Sequence, residues 1–390
     1  MNRDAVIVSA VRTAIGRQGG ALASIPAHVF GAEVIKEALK RAKVEPELVE
    51  DVILGNVLSG GGNIARLTAL ETGLGTHLPG LTVDRQCGSG INAVNLAAQA
   101  IWAGDGDVYV AGGVESMSRA PYLMDRPEKA YSPVPPKFRK SQLSPKEIGD
   151  PPMGITAENL AKQYEISREE QDDFAIRSQQ KAAAAMEEGR FDEQIVPIRI
   201  PVRKGEPIEF KTDEHPRPQT TKEALAKLSP AFLEGGTVTA GSSSGLNDAA
   251  SAVVIMSREK AEELGLKPLA TVRAQAVAGV DPNIMGIGPV PATQKVLEKA
   301  GLSLEDIDLI ELNEAFASQV LACDKELKMD LDKVNVNGGA IALGHPLGAT
   351  GAILLTKAVY ELKRTSKKYA LITACIGGGQ GIATIIEREE

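Results

Sequence analysis

The stretch Asp51-Val-Ile-Leu-Gly-Asn56 returns later in the chain as Asp308-Leu-Ile-Glu-Leu-Asn313. Each is a short aliphatic run that reads as a buried strand closed by asparagine. From Asn56 the chain reaches Cys87, and from Asn313, over nearly the same interval, it reaches His345. Both landing points lie beside glycine and open a helical pattern. The following elements match as well: Asp107–Gly113 with Tyr369–Cys375, and Ser251–Met256 with Gly381–Ile386. Strands alternating with helices in this way predict an α/β fold, here a duplicated βαβαβαββ core.

Around this frame, Val6–Ala10, Leu81–Arg85 and Ala270–Ala278 read as strands, and Ala27–Ala42, Asn63–Leu74 and Ser89–Ala103 as helices. The last has few charges, which predicts burial. In the second copy the final two strands are joined by the glycine run after Cys375; in the first, the segment from about Val114 to Asn247 intervenes. It is proline-rich and basic to about Pro152, then carries a capping box, Ser167-Arg-Glu-Glu170, that opens a helix ending before Gly189. The expected organisation is therefore residues 1–113 with 248–268 as an N-terminal core half, 114–247 as an inserted loop subdomain, and 269–390 as the C-terminal core half.

The chain has 390 residues, 43 Lys+Arg against 51 Asp+Glu, and a formal charge of −8. An acidic balance with few aromatics offers little to neutralise phosphates or stack bases, so nucleic acid is not the expected partner. The opening Met1–Val8 is too short in apolar length for a signal peptide or membrane span, which leaves a cytoplasmic protein with no membrane partner. Three cysteines and four histidines show no paired metal-ligand spacing, so no metal is expected. Glycine is the surplus: 39 residues, one in ten against about 7% on average. It gathers at Cys87–Gly90, Asn337–Gly351 and Gly377–Gly381, where backbone is expected to approach a substrate closely.

Cys87 lies in Asp84-Arg-Gln-Cys-Gly-Ser-Gly90, between a strand and a helix. At a helix N-terminus the dipole favours thiolate and lowers the thiol pKa, making a nucleophile; the plainer reading is a small buried hydrophobe. His345, in the matching place of the second copy, supplies a base for such a thiol. Cys375 ends a strand of the sheet, the end at which open α/β folds build sites. The glycines after it allow a backbone N–H, that of Gly377, to face a developing oxyanion. Asn313 closes another strand and either orients a water or imidazole or caps a helix starting at Glu314. Cys323, on an apolar helix face, reads as core.

Taken together, Cys87-Gly-Ser-Gly90, Gly112-Gly-Val-Glu-Ser-Met-Ser118, Met153-Gly-Ile-Thr-Ala-Glu158, Gly236-Thr-Val-Thr-Ala-Gly241, Asn313-Glu-Ala-Phe316, Gly344-His-Pro-Leu-Gly348 and Cys375-Ile-Gly-Gly-Gly379 resemble the thiolase family over essentially the whole chain. The resemblance implies a five-layer αβαβα core and ping-pong acyl transfer between CoA thioesters, by condensation of two acetyl-CoA or thiolysis of a 3-ketoacyl-CoA. It implies Cys87 as acyl carrier, His345 as its base, Cys375 as the acid and base at the α-carbon, and oxyanion donors from His345 with an Asn313-held water and from the N–H groups of Cys87 and Gly377. Such donors are worth roughly 3–4 kcal/mol apiece. It further implies coenzyme A as substrate and product with no permanently bound cofactor, contacts from Met153, Arg217, Phe232, Ala240, Ser244 and Phe316, and a homodimer or homotetramer. Pro152 stands where acetoacetyl-CoA-forming members carry His, and Ala224 where an adenosine-side serine is usual. Two other readings are a ketoacyl-synthase-like condensing enzyme, which would not need Cys375, and a non-catalytic CoA- or lipid-binding protein.

Overall fold

A computed structural model describes residues 3–58, 62–127, 129, 131 and 133–389. The first core half runs β1 (Ala5–Thr13), α1 (Ala27–Ala42), β2 (Asp51–Gly55), α2 (Ile64–Glu71), β3 (Leu81–Val83), α3 (Ser89–Ala103), β4 (Val108–Ser116). Two longer helices follow, α4 (Met153–Gln163) and α5 (Arg168–Glu187), before β5 (Asn247–Ser257). The second half runs β6 (Ala270–Gly279), α6 (Pro289–Ala300), β7 (Leu309–Leu312), α7 (Ala317–Leu327), α8 (Leu347–Thr365), β8 (Tyr369–Ile376), β9 (Gln380–Arg388).

The strands lie in the order β7-β8-β9-β6-β1-β5-β4-β2-β3. Each half places its outer strands parallel and its inner ones antiparallel, so β1, β5, β4 and β2 mirror β6, β9, β8 and β7. The halves meet where β1 pairs antiparallel with β6, Val6 opposite Thr271 and Ile7 opposite Ala270. The third strand of the unit differs between copies. β3 is an edge strand on β2, whereas in the second half only an isolated bridge between Ile310 and Val334 remains, and a glycine-rich loop follows.

Side chains alternate across each strand, and three cores result. Val52 and Leu54 pack outward with Phe30, Val34 and Ile35 of α1; Ile53 faces inward. In the middle core Ile91, Val94 and Ile101 of α3 lie with Leu354, Leu355 and Val359 of α8, between the inner faces of both halves. On the far side Ile310, Leu371 and Ile385 meet Val290 and Val296 of α6 and Val320 of α7. The layers are therefore helices, sheet, the α3–α8 pair, sheet, helices. α3 is apolar on nearly every face because both sheet halves bury it.

The segment between β4 and β5 is fastened to the core by buried polar contacts. Arg12 on β1 makes a bidentate pair with Asp213, at 2.7 and 3.0 Å, and Asp213 also accepts the Ile15 N–H at 2.8 Å. The capping box of α5 forms in both directions, and Gly189 turns away at φ +68°. Among the described residues no helix is long and apolar enough to cross a membrane, and no group of acidic, His or Cys side chains is arranged to hold a metal ion.

Candidate active site

α3 and α8 begin side by side, and glycine makes this possible. A methyl group on Gly90 would stand 2.7 Å from the Ala352 nitrogen, and one on Gly348 2.6 Å from the Asn56 Cα. Gly55 and Gly113 face the same Gly348 carbonyl. Gly90, Gly348 and Gly351 of the first two glycine clusters thus serve the crossing of two helices. The crossing brings the two segments that carry Cys87 and His345 to one end of the core. Glu115 locks it: its carboxylate accepts N–H groups from Val57, Leu58 and Gly348 at 3.0 Å each.

Cys87 sits one residue before Gly88, the cap of α3, after Gln86 turns the chain at φ +45°. The helix-dipole expectation is corrected here. Burial pushes the thiol up to about 11, and nearby Asp84 and Glu115 push the same way, against the N–H groups of Gly377 and of Cys87 itself that face the sulfur. Desolvation outweighs the two N–H groups that face the sulfur. His345 is buried and driven down to about 4 by the loss of water, so its imidazole is neutral. Its backbone N–H donates to Asn247 Oδ1 at 2.9 Å, its Nδ1 lies 2.7 Å from Thr350 Oγ1, and its Nε2 lies 3.4 Å from Asn313 Nδ2.

Asn313 is fully buried and does not cap α7, which starts at Ala317 with Phe316 at the cap position. Its backbone N–H joins Thr373 on β8, and its Oδ1 has no hydrogen-bond partner among the described residues. Such an oxygen is free to accept a hydrogen bond from a donor entering the site. Cys375, fully buried at the end of β8, packs with Phe316, Ala315, Met285, Val238 and Met153. Burial raises its thiol well above the ordinary range, and the charge of a neighbouring Cys87 thiolate would raise it further. Gly378 and Gly379, at φ +86° and +85°, turn β8 into β9. Cys323 is core on α7, its thiol donating to the Gly286 carbonyl.

Arg217, Phe232, Ala240 and Ser244 line one cleft of about 380 Å³. Met153 and Phe316 lie deeper, beside Cys375; the Phe232 and Phe316 rings meet edge to face at 5.8 Å and connect the two groups. Ser243 bridges to Phe316 and Leu246 to His345, so the cleft wall runs directly into the thiol and imidazole region. Sequence reasoning missed Thr350, Asn247 and Glu115, which hold His345 and its loop. It also missed His215, which lines the cleft and is held to about 4 by burial, with Arg217 and Arg17 adding. Leu143, from the proline-rich excursion, packs over Gly377. Asn247 and Glu115 are far from His345 in the chain and leave no local signal, whereas Thr350, five residues on, lies in the same run and is marked only by its spacing.

A mirrored α/β core with two buried thiols, an imidazole and an open cleft at one end has the groups for nucleophilic acyl transfer, and comparison with known proteins gives the class as acyltransferase. Family models for the thiolase N-terminal domain and the thiolase C-terminal domain match residues 5–259 and 266–388. The chain belongs to the thiolase family, and its activity is that of a thiolase. It is 51% identical to the acetyl-CoA acetyltransferase of Cupriavidus necator, over 99% of this chain and 100% of that one. The crystal structure of the Bacillus anthracis acetyl-CoA acetyltransferase superposes with a TM-score of 0.96 at 47% identity, covering 100% of both chains. Human mitochondrial 3-ketoacyl-CoA thiolase in complex with CoA superposes at 0.93 and 44% identity, covering 100% of this chain and 98% of that one.

Proposed function

We propose that the protein interconverts a 3-ketoacyl-CoA plus CoA with an acyl-CoA plus acetyl-CoA, acetoacetyl-CoA being the four-carbon case, through an acyl group carried on Cys87. The observation that carries this reading is the placing of two buried thiols, Cys87 and Cys375, within reach of each other's charge, with the Gly377 N–H at the Cys87 sulfur. In the thiolytic direction His345 Nε2 takes the Cys87 proton as sulfur attacks the keto carbon. The C–C bond breaks, and Cys375 gives its proton to the leaving acetyl-CoA enolate. CoA thiol then attacks the Cys87 thioester and passes its proton to the Cys375 thiolate; Cys87 leaves and recovers its proton from His345. Condensation is the reverse. A thiol pushed up by burial is matched to this work, since it stays protonated until a strong carbon base forms and its thiolate is a strong base in turn.

Oxyanions in this scheme are met by the N–H groups of Cys87 and Gly377, and by His345 with a water on Asn313 Oδ1. The segment 114–247 holds CoA, with Arg217, Phe232, Ala240, Ser244, Met153 and Phe316 against it. CoA binds as a substrate, with no permanent cofactor. A cytoplasmic homodimer or homotetramer completes the proposal, and the exposure of Tyr122, Tyr131 and Phe138 supports an assembly. A ketoacyl synthase would leave Cys375 without a task. Thiolysis rate measured against 3-ketoacyl-CoA chain length tests the assignment: turnover of acetoacetyl-CoA is expected, and CoA binding without thiolysis at any length would overturn it.

A further inference from the structure

His345 is held at both ring nitrogens, and the partners determine where its proton sits. Thr350 Oγ1 lies 2.7 Å from Nδ1 and 2.9 Å from the Pro346 carbonyl, one turn back, and that carbonyl can only accept, so it offers the hydroxyl proton a place away from the ring. The oxygen is left to accept from the ring, so Nδ1 carries the hydrogen and Nε2 keeps its lone pair. Asn313 gives the same answer from the opposite side, since its Nδ2 donor lies against Nε2. His345, Thr350 and Asn313 are 5%, 3% and 0% exposed, so bulk water does not compete for these bonds.

We infer that Thr350 is the positioning residue of the catalytic base, fixing His345 as the Nδ1–H tautomer with Nε2 as the acceptor, a place taken at rest by the long contact to Asn313 Nδ2 and given over to the Cys87 proton. The inference rests on His345 being that base. In catalytic triads a carboxylate orients the imidazole and also stabilises its charged form. A hydroxyl orients the ring without supplying charge. The Cys87–His345 pair therefore rests uncharged, as thiol and neutral imidazole, and separates charge only when an oxyanion can form on bound substrate. The directions of both pKa shifts agree with this.

The test uses the full-length enzyme with Thr350→Val, Thr350→Ser and His345→Asn. Thiolysis of acetoacetyl-CoA is measured alongside long-range proton–nitrogen NMR of the histidine rings. With four histidines in the chain, the His345 signals are assigned by their loss in His345→Asn. Thr350→Val is expected to lower kcat by about 10–100-fold, part of what a positioned base contributes. Its KM for CoA substrates should not move, its ring pattern should lose the Nδ1–H form, and Thr350→Ser should restore both. A wild-type His345 protonated on Nε2 overturns the inference without any variant. Wild-type kcat in Thr350→Val, with His345→Asn inactive, overturns the role of Thr350 alone; a fully active His345→Asn overturns the base itself.

Discussion

Gly113 on β4 lies directly beneath the carbonyl of Gly348, and a methyl group added there would overlap that oxygen and press on the Ala349 Cα. The contact is backbone on both sides, so no side-chain rotation relieves it. Gly113→Ala is expected to cost about 1–3 kcal/mol, the usual range for overpacking a core, and to lower kcat by displacing the start of α8. Thermal melting checks the first effect. Gly279→Ala is the control, with nothing within 4 Å of the added carbon and an expected change within about 0.5 kcal/mol.

The resting thiol state has a direct pH signature. Cys87 is pushed up to about 11 and His345 down to about 4. Alkylation of Cys87 by iodoacetamide without substrate should be slow at neutral pH and rise steadily toward about 11. Peptide mapping of the labelled site at each pH makes the measurement. A rate that levels off below pH 8.5 would mean that the helix end, and not burial, sets the thiol.

The buried Arg12–Asp213 pair joins β1 to the loop that carries His215 and Arg217. Asp213→Ala leaves a guanidinium uncompensated in the interior, at an expected cost of about 3–5 kcal/mol. Because Asp213 also accepts the Ile15 N–H, the loop should loosen and KM for CoA substrates rise. Denaturant unfolding and steady-state kinetics read the two effects. The double variant Arg12→Met with Asp213→Leu should recover stability but not KM.

Much of this architecture is legible in the sequence. α1 and α3 run over the residues their periodicity indicates, Ala27–Ala42 and Ser89–Ala103, and the Ser167 capping box forms as read. Those signals are local. The β1–β6 junction and the reduction of the second copy's third strand to one bridge come from pairings distant in sequence, which no window of residues reports. The same holds at the site. Cys87 beside glycine shows a helix start but not how much water is lost around it, and the asparagine at 313 has the composition of a cap while standing outside the helix it precedes.

Arg217 lines the cleft on a chain of net charge −8, and under the proposed function its cation attracts the anionic coenzyme. Arg217→Ala is expected to raise KM for CoA thioesters about 10-fold or more, the value of a hydrogen bond to a charged group. N-acetylcysteamine thioesters, which have no phosphates, should react unchanged. Equal losses on both substrates would place Arg217 outside the coenzyme contact.

Incubation of Cys375→Ala with acetyl-CoA, followed by peptide mass mapping, most directly tests the assignment of two thiols to two tasks. The expected result is one acetyl group on the peptide containing Cys87, with neither acetoacetyl-CoA formation nor its thiolysis. An unmodified Cys87, or turnover that survives the loss of Cys375, would contradict it.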